Sequence, residues 1–467
     1  MSRASSVTIF PFRHRFDDQQ VGGYPTLAQL DAASHGRPVF ILRRDAHLGI
    51  VNTRACVLVG VTVATPDPPF GRFDRHSGTG ALTGLVRETA ADLFRARLAE
   101  GDSVADHVAG LERVFAEFLS VGVTSVHSSL AASKGIQAYQ ILRAGGRLAV
   151  RVGLLVSGRE EGLVEAFVRA GIRSGFGDEW LRVVGVEWCP DCSTSGRTAA
   201  YYEPYVGTPV LGEPTPNHGM LLYDAEDLRQ RVLAAHRAGL QVCVEGVGDR
   251  GIDFALDAIE AALAAHPVTD HRMRVEHCCY VTPPILARLA RLGVIASSAT
   301  GFMYDLGDAY LRNRGADAMR WMWPHRAMID AGVPAPGHSD AAVCRVDPFP
   351  AIWSMVTRRT ASGQPIGPEQ AVTVTEAVRA YTVLGAYAGR EEHLKGSLEV
   401  GKLADVAVLD RDAFTVPVDA IRETRVDLTI VGGRVRYRRQ SDRSTGSAET
   451  NELHPRCHSN RDHVSEY

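Results

Sequence analysis

The sequence has little of what would tie it to an anionic partner, an oxidising compartment or a lipid bilayer. Basic and acidic residues nearly cancel, 51 against 54, for a formal charge of -3, so no long-range field draws the chain to nucleic acid or to an anionic membrane. Eight cysteines in 467 residues are too sparse for a disulfide framework and read as small buried hydrophobes in a reducing compartment. No window approaches the roughly 18 consecutive apolar residues of a membrane span. The apolar run inside the N-terminal "MSRASSVTIFPFRHRF" is too short for a signal peptide. These absences point to a cytoplasmic globular protein whose partner is a small molecule or a second copy of itself. The hydrophobic content, 45%, is ample for a large buried core.

What the chain does have is alternation. Short β-branched runs, "PVFIL" from Pro38, "VTSVH" from Val123, "AVRVGLLV" from Ala149, "RVVGVEW" from Arg182, "QVCVEG" from Gln241, "MRVEHC" from Met273, "VIASS" from Val294 and "VPAPGHS" from Val333, predict strands. Between them, "SVADHVAGLERVFAEFLSVG" from Ser103 and "DAEDLRQRVLAAHRAG" from Asp224 repeat apolar residues at helical spacing behind a Ser or Asp suited to capping. This pattern predicts an α/β fold, a (β/α)8 TIM-like barrel in preference to a doubly wound open sheet. After Asp405, "DVAVLDRD" and "VDLTIVGGRVRYRR" carry a Gly-Gly hairpin signal and predict a small β-module, and from about Gln440 the aperiodic polar sequence predicts a disordered tail.

In a barrel, reactive groups stand at the C-terminal ends of strands. Four polar residues do so here: Glu187, Glu245, His277 and Asp340. Three carboxylates and an imidazole converging on one mouth would repel one another unless a cation sat among them, which points to a divalent metal; ordinary ion pairing at strand ends is the bland alternative. The pair Cys189 and Cys192 in "GVEWCPDC" lacks both a second CxxC for a zinc knuckle and the small βαβ context of a redox pair, and Cys278 and Cys279 read as packing.

The segments "YPTLAQLD", "RRDAHLGIVNTRA", "GVTSVH", "SGRTAAYYEPY", "GVGDRGIDFALDAIE", "RVEHCCYVTPPILARLARLGVIASS", "GHSDAAVCRVDPFPAIWSMVTR" and "KGSLEVGKLADVAVLDRD" follow in order from about Tyr24 to about Tyr437. Together they resemble amidohydrolase family 3, the YtcJ-like metal-dependent hydrolases. The resemblance implies a metal-dependent barrel flanked by a β-sandwich and hydrolysis of carbon–nitrogen bonds in amide-type substrates. It also implies that His277 and Asp340 occupy metal-ligand positions unchanged, with Asp340 as general base. Glu187 stands where the family has a bridging lysine, and Glu245 where it has a metal-binding histidine. His47 and Asn52 fall in a block that reaches the substrate pocket and Arg197 follows the strand-four loop, with structural hydrogen bonding as the alternative for each; Asp249 and Arg250 read as an ion pair bracing the barrel, and His338, two residues before Asp340, as an added ligand the family lacks.

The family's His-x-His strand has no counterpart, since "FRHRF" holds only His14, read as a surface residue. One ion, zinc by expectation, is therefore favoured over two, and the barrel is expected to lack its first strand. That leaves an open seam, which "SSVTIFPF" from Ser5 would plug or which would drive homodimerisation, unless the missing strand is encoded upstream. The expected organisation is an N-terminal segment 1–23, a barrel 24–395, a β-sandwich module 396–439 and a tail 440–467. The competing function is an inactive barrel kept as a binding scaffold.

Overall fold

The computed structural model describes residues 8–9, 16–99, 101–210 and 212–440. His14 and the tail beyond Gln440 lie outside the described residues. Fourteen strands form three sheets among the described residues. The first holds β1 (Thr8–Ile9), β2 (Val39–Leu42), β3 (Leu48–Val51), β4 (Gly71–Arg75) and β5 (Leu82–Glu88) in the order β1-β2-β3-β5-β4. The second is entirely parallel and holds β6 (Ser125–Ala131), β7 (Arg151–Ser157), β8 (Leu181–Trp188), β9 (Gln241–Gly246), β10 (Arg274–His277) and β11 (Ile295–Ser298), in sequential spatial order. The third is antiparallel, β12 (Val406–Leu409), β13 (Val426–Val431) and β14 (Arg434–Arg438), where the sequence predicts the C-terminal β-module.

The parallel sheet explains why its strands are legible in the sequence. A parallel strand is covered on both faces and therefore reads as a continuous apolar run. Every residue of β7 and β9 is buried. On one face the helices Ala225–Arg237, Asp249–Ala265 and Pro283–Leu292 lay Val232, Leu256 and Leu289 against Val186, Val244 and Val275. Helix Val104–Ser120 starts at the predicted Ser103, which forms a capping box with Asp106. Asp224 occupies the N-cap of Ala225–Arg237 without a capping hydrogen bond, so Glu226 and Asp227 in the first turn supply the favourable charge instead.

Three strand expectations are revised. "PVFIL" joins the first sheet rather than the parallel one, antiparallel to β3. "VPAPGHS" forms no ladder strand, because Pro334 and Pro336 have no N–H to give; only their carbonyls accept, from Ala296 and Ser298, and Gly337 bridges Ser298 in parallel. Of the segment from Ser5 only Thr8 and Ile9 lie among the described residues, and they pair in parallel with Val39 and Phe40 at the edge of the first sheet rather than beside β6. β6 thus ends the parallel sheet with no further strand beside it among the described residues, and only Ala131 of its seven residues is buried.

The seven cysteines among the described residues are all buried, and none forms a disulfide. No helix among those residues is long and apolar enough to cross a membrane.

Asn52 holds the first sheet to its neighbours. Its side-chain oxygen accepts from Val39 N–H and Ala55 N–H, both at 2.9 Å, and its amide donates to Ser34 Oγ and Arg37 O. All four of its hydrogen-bonding positions are filled. Asn52→Ala removes the cap of helix Thr53–Val59 and strands a buried N–H, so urea unfolding should show a loss of about 2 kcal/mol. His325 gives a second expectation. It is buried against Ser298 Oγ at 3.0 Å, and burial, with Arg358 nearby, pushes its imidazole down to about 3. Unfolding returns it to about 6.5, so the unfolded chain takes up a proton between those values and stability falls as pH drops through that window. The slope is up to about 1.4 kcal/mol per pH unit from this group, and His325→Gln should flatten a stability-against-pH curve there by that amount.

Candidate metal centre

β9 and β10 run side by side with Glu245 opposite Glu276 and His277 opposite Gly246. Strand alternation would turn His277 away from Glu245, but the backbone at His277 turns left-handed, with φ of +66°. The ring comes round to the same side, and its Nε2 lies 3.5 Å from Glu245 Oε1. Two other acidic site residues, Glu88 and Asp340, have φ of +52° and +50°. Backbone strain of this kind persists where surrounding structure imposes it, and it gathers at functional sites.

Glu245 is 2% exposed, and its Oε1 has no hydrogen-bond partner. Burial drives its carboxyl up to about 8. Burial also pushes the His277 imidazole down to about 4, and its Nδ1 has no partner either. A neutral imidazole facing an unpaired carboxyl oxygen in a buried pocket is a donor set suited to a divalent ion. By this observation the residues present fit the metal that the sequence pattern implies. Asp340 acts electrostatically on both Glu245 and His338 and stands at the same mouth.

His338 lies with its ring 5.2 Å from that of His277 and its Nε2 3.3 Å from Ser297 O; burial, with His277 close by, pushes it down to about 4. Glu187 sits deeper. The register sets it beside Cys243, two residues before Glu245, and its carboxyl accepts the Leu130 N–H at 3.1 Å. Burial and then the neighbouring Glu276 lift it to about 8.

His47 comes from outside the parallel sheet, at the start of β3. Its Nδ1 is 2.8 Å from Glu88 Oε2 and its Nε2 4.0 Å from Glu245 Oε1. Burial opposes its charged form, but Glu88 outweighs that and lifts the imidazole to about 9. The Cys192 thiol donates to Met220 O at 3.6 Å with its sulfur within 4.8 Å of a Glu88 carboxyl oxygen, and Cys189 is buried close enough to Glu245 to interact with it electrostatically. His47, Glu88 and Cys192 bring one ligand-type atom each within 4.8 Å of one another. The CxxC stretch thus contributes two buried thiols, each close to a different site carboxyl.

The sequence reading missed Glu88 and Asp191. Glu88 ends a strand just as Glu187 and Glu245 do, but lies ahead of the alternating pattern. Asp191 is wholly buried; its carboxyl accepts backbone N–H groups of Ala200, Val247 and Gly248 at 2.7 to 2.9 Å and so pins the loop that leads into helix Asp249–Ala265. A Cβ at Gly251 would come within 1.9 Å of that carboxylate, which explains the glycine there.

Two residues expected at the substrate are held by the scaffold. Asn52 is saturated as described. Arg197 grips Glu213 through Nε at 2.9 Å, reaches Val206 O with Nη1 at 2.7 Å and lies over the Tyr205 ring. Asp249 braces as expected, though through the Tyr202 and Arg250 N–H groups rather than an ion pair with the Arg250 side chain.

The amidohydrolase family model matches residues 19–437. N-substituted formamide deformylase of Arthrobacter pascens is 28% identical over 423 residues, 89% of this chain and 76% of that protein. Putative amidohydrolase YtcJ of Bacillus subtilis (strain 168) is 27% identical over 425 residues, covering 89% and 77%. A solved structure of an uncharacterized metal-dependent hydrolase from Pyrococcus furiosus superposes with a TM-score of 0.62 at 26% identity, over 83% of this chain and 75% of that one. A second, from Pyrococcus horikoshii OT3, reaches 0.68 at 24% identity over 87% and 77%, a likeness of fold. With the match running from within the first helix, Asp18–Val21, into the last strand, the chain belongs to the amidohydrolase family.

Proposed function

We propose that the chain is a metal-dependent hydrolase of non-peptide carbon–nitrogen bonds, acting on a small amide-type molecule. The observation that carries this reading is the buried, unpaired Oε1 of Glu245 facing the His277 imidazole. His277, Glu245 and Asp340 would hold one divalent ion, zinc by preference, with Glu187 behind them. When bound, such an ion acidifies a water and polarises the substrate carbonyl. Asp340 takes the proton of the attacking water and passes it to the leaving nitrogen. The closed neighbourhood of Cys189 and Glu245 keeps bulk water from competing. The parallel sheet serves as a (β/α)8 barrel without its first strand, spanning 24–395, with the module 396–439 as the remnant of a β-sandwich. The lack of a strand on the outer side of β6 among the described residues makes a homodimer through that edge the favoured assembly, and the cytoplasm is the favoured compartment.

N-substituted formamides are the first substrates to test, because a relative carrying that name covers most of the chain. Purified, zinc-loaded protein should hold one ion per chain by elemental analysis, and Glu245→Ala and His277→Ala should lose it. Asp340→Asn should lower kcat about a hundredfold or more. Absence of bound metal after zinc or manganese loading would sink the hydrolase reading. Light scattering on a sizing column should give twice the chain mass, and a charged substitution at the half-buried Val126 of β6 should shift it to monomer.

A further inference from the structure

We propose that His47, carried by the first sheet, is itself a ligand, so that a single divalent transition-metal ion is held by Nε2 of His47, Nε2 of His277 and Oε1 of Glu245. This rests on the metal-dependent reading above and replaces the substrate contact expected of His47. Two atoms bound at about 2.1 Å to one tetrahedral ion lie about 3.4 Å apart. Glu245 Oε1 already stands 3.5 Å from one imidazole nitrogen and 4.0 Å from the other, without a hydrogen-bond partner. The three atoms do not yet all lie within 4.8 Å of one another, so an entering ion has to draw the two rings together onto that oxygen. Two imidazoles and one carboxylate form a donor set that first-row divalent ions accept with positions left open.

Orientation argues the same way. A carboxylate only accepts, so His47 Nδ1 donates its N–H to Glu88 Oε2 at 2.8 Å and Nε2 is the nitrogen presented to Glu245. A carboxylate behind a ligating histidine fixes the ring in just this manner. The backbone secures the pair, since Glu88 N–H donates to His47 O at 2.9 Å. The grouping of His47, Glu88 and Cys192 is the competing site, but there the imidazole nitrogen nearest Glu88 is already taken by the hydrogen bond.

Cobalt(II), titrated into metal-free full-length protein and followed by visible absorption, tests this without recourse to activity. One ion per chain is expected. His47→Ala and His277→Ala should each weaken it at least about a hundredfold, Glu88→Gln by about ten- to a hundredfold, and Cys192→Ala should bind as the parent does. Should His47→Ala fail to fold, proton NMR of the cobalt form of the parent counts hyperfine-shifted exchangeable imidazole N–H signals. Two support the proposal and one overturns it. Full cobalt affinity in His47→Ala, with loss only in His277→Ala, would overturn the His47 assignment and leave the hydrolase reading standing. Loss in Cys192→Ala together with a thiolate charge-transfer band would move the ion to Glu88 and overturn it as well. No cobalt uptake by the parent would end both.

Discussion

A carboxyl oxygen removed from water with nothing bonded to it is the constraint around which this molecule is arranged. Leaving such a group unsatisfied costs about 1–3 kcal/mol, and Glu245 bears that cost in the middle of a sheet where it cannot move away. β9 is flanked by a strand on each side and buried along its length. The neighbouring features answer to it: the left-handed turn that brings His277 round, the thiol of Cys189, and the imidazole of His47 reaching in from a different sheet. Stability is given up locally so that two imidazoles approach one carboxyl oxygen.

The parts of the fold that sequence reveals are those whose environment repeats along the chain. β7, β8 and β9 show as apolar runs because both faces of the sheet are covered, and Ser103 shows as a cap because its partner lies three residues away. What the pattern hides depends on distant residues. "VPAPGHS" reads as a strand until its two prolines are set beside a ladder that needs their N–H groups. Glu88 and Asp191 acquire their roles only when chains far apart in sequence meet. The same is true of Asn52, whose motif position says nothing of the four scaffold bonds that occupy it.

At the site, strand-end reasoning located Glu245 and His277 together, because the end of a parallel strand is a fixed geometric address. It could not foresee that Glu187 lies a layer lower, since register between strands is not written in either strand alone. Nor could periodicity show that β2 and β3 build a separate sheet whose loop hands an imidazole to the parallel one.

That sheet, the first, is riveted to the site by two buried guanidinium groups. Arg43 joins Asp18 and Asp45 and reaches Ser195 Oγ and the Ser195 carbonyl. Arg87 clasps Asp74 and donates to the Gly196 carbonyl at 3.0 Å. Both are wholly buried, and a Cβ at Gly196 would press on Asp45 at 2.5 Å. Adjacent carbonyls of one loop therefore act as the two pins of a ruler that sets how far residue 47 extends. A single insertion between 43 and 47, or between 193 and 196, would break the measure, so descendants of this chain that explore new substrates must vary elsewhere, leaving these two short stretches as the slowest to drift in length.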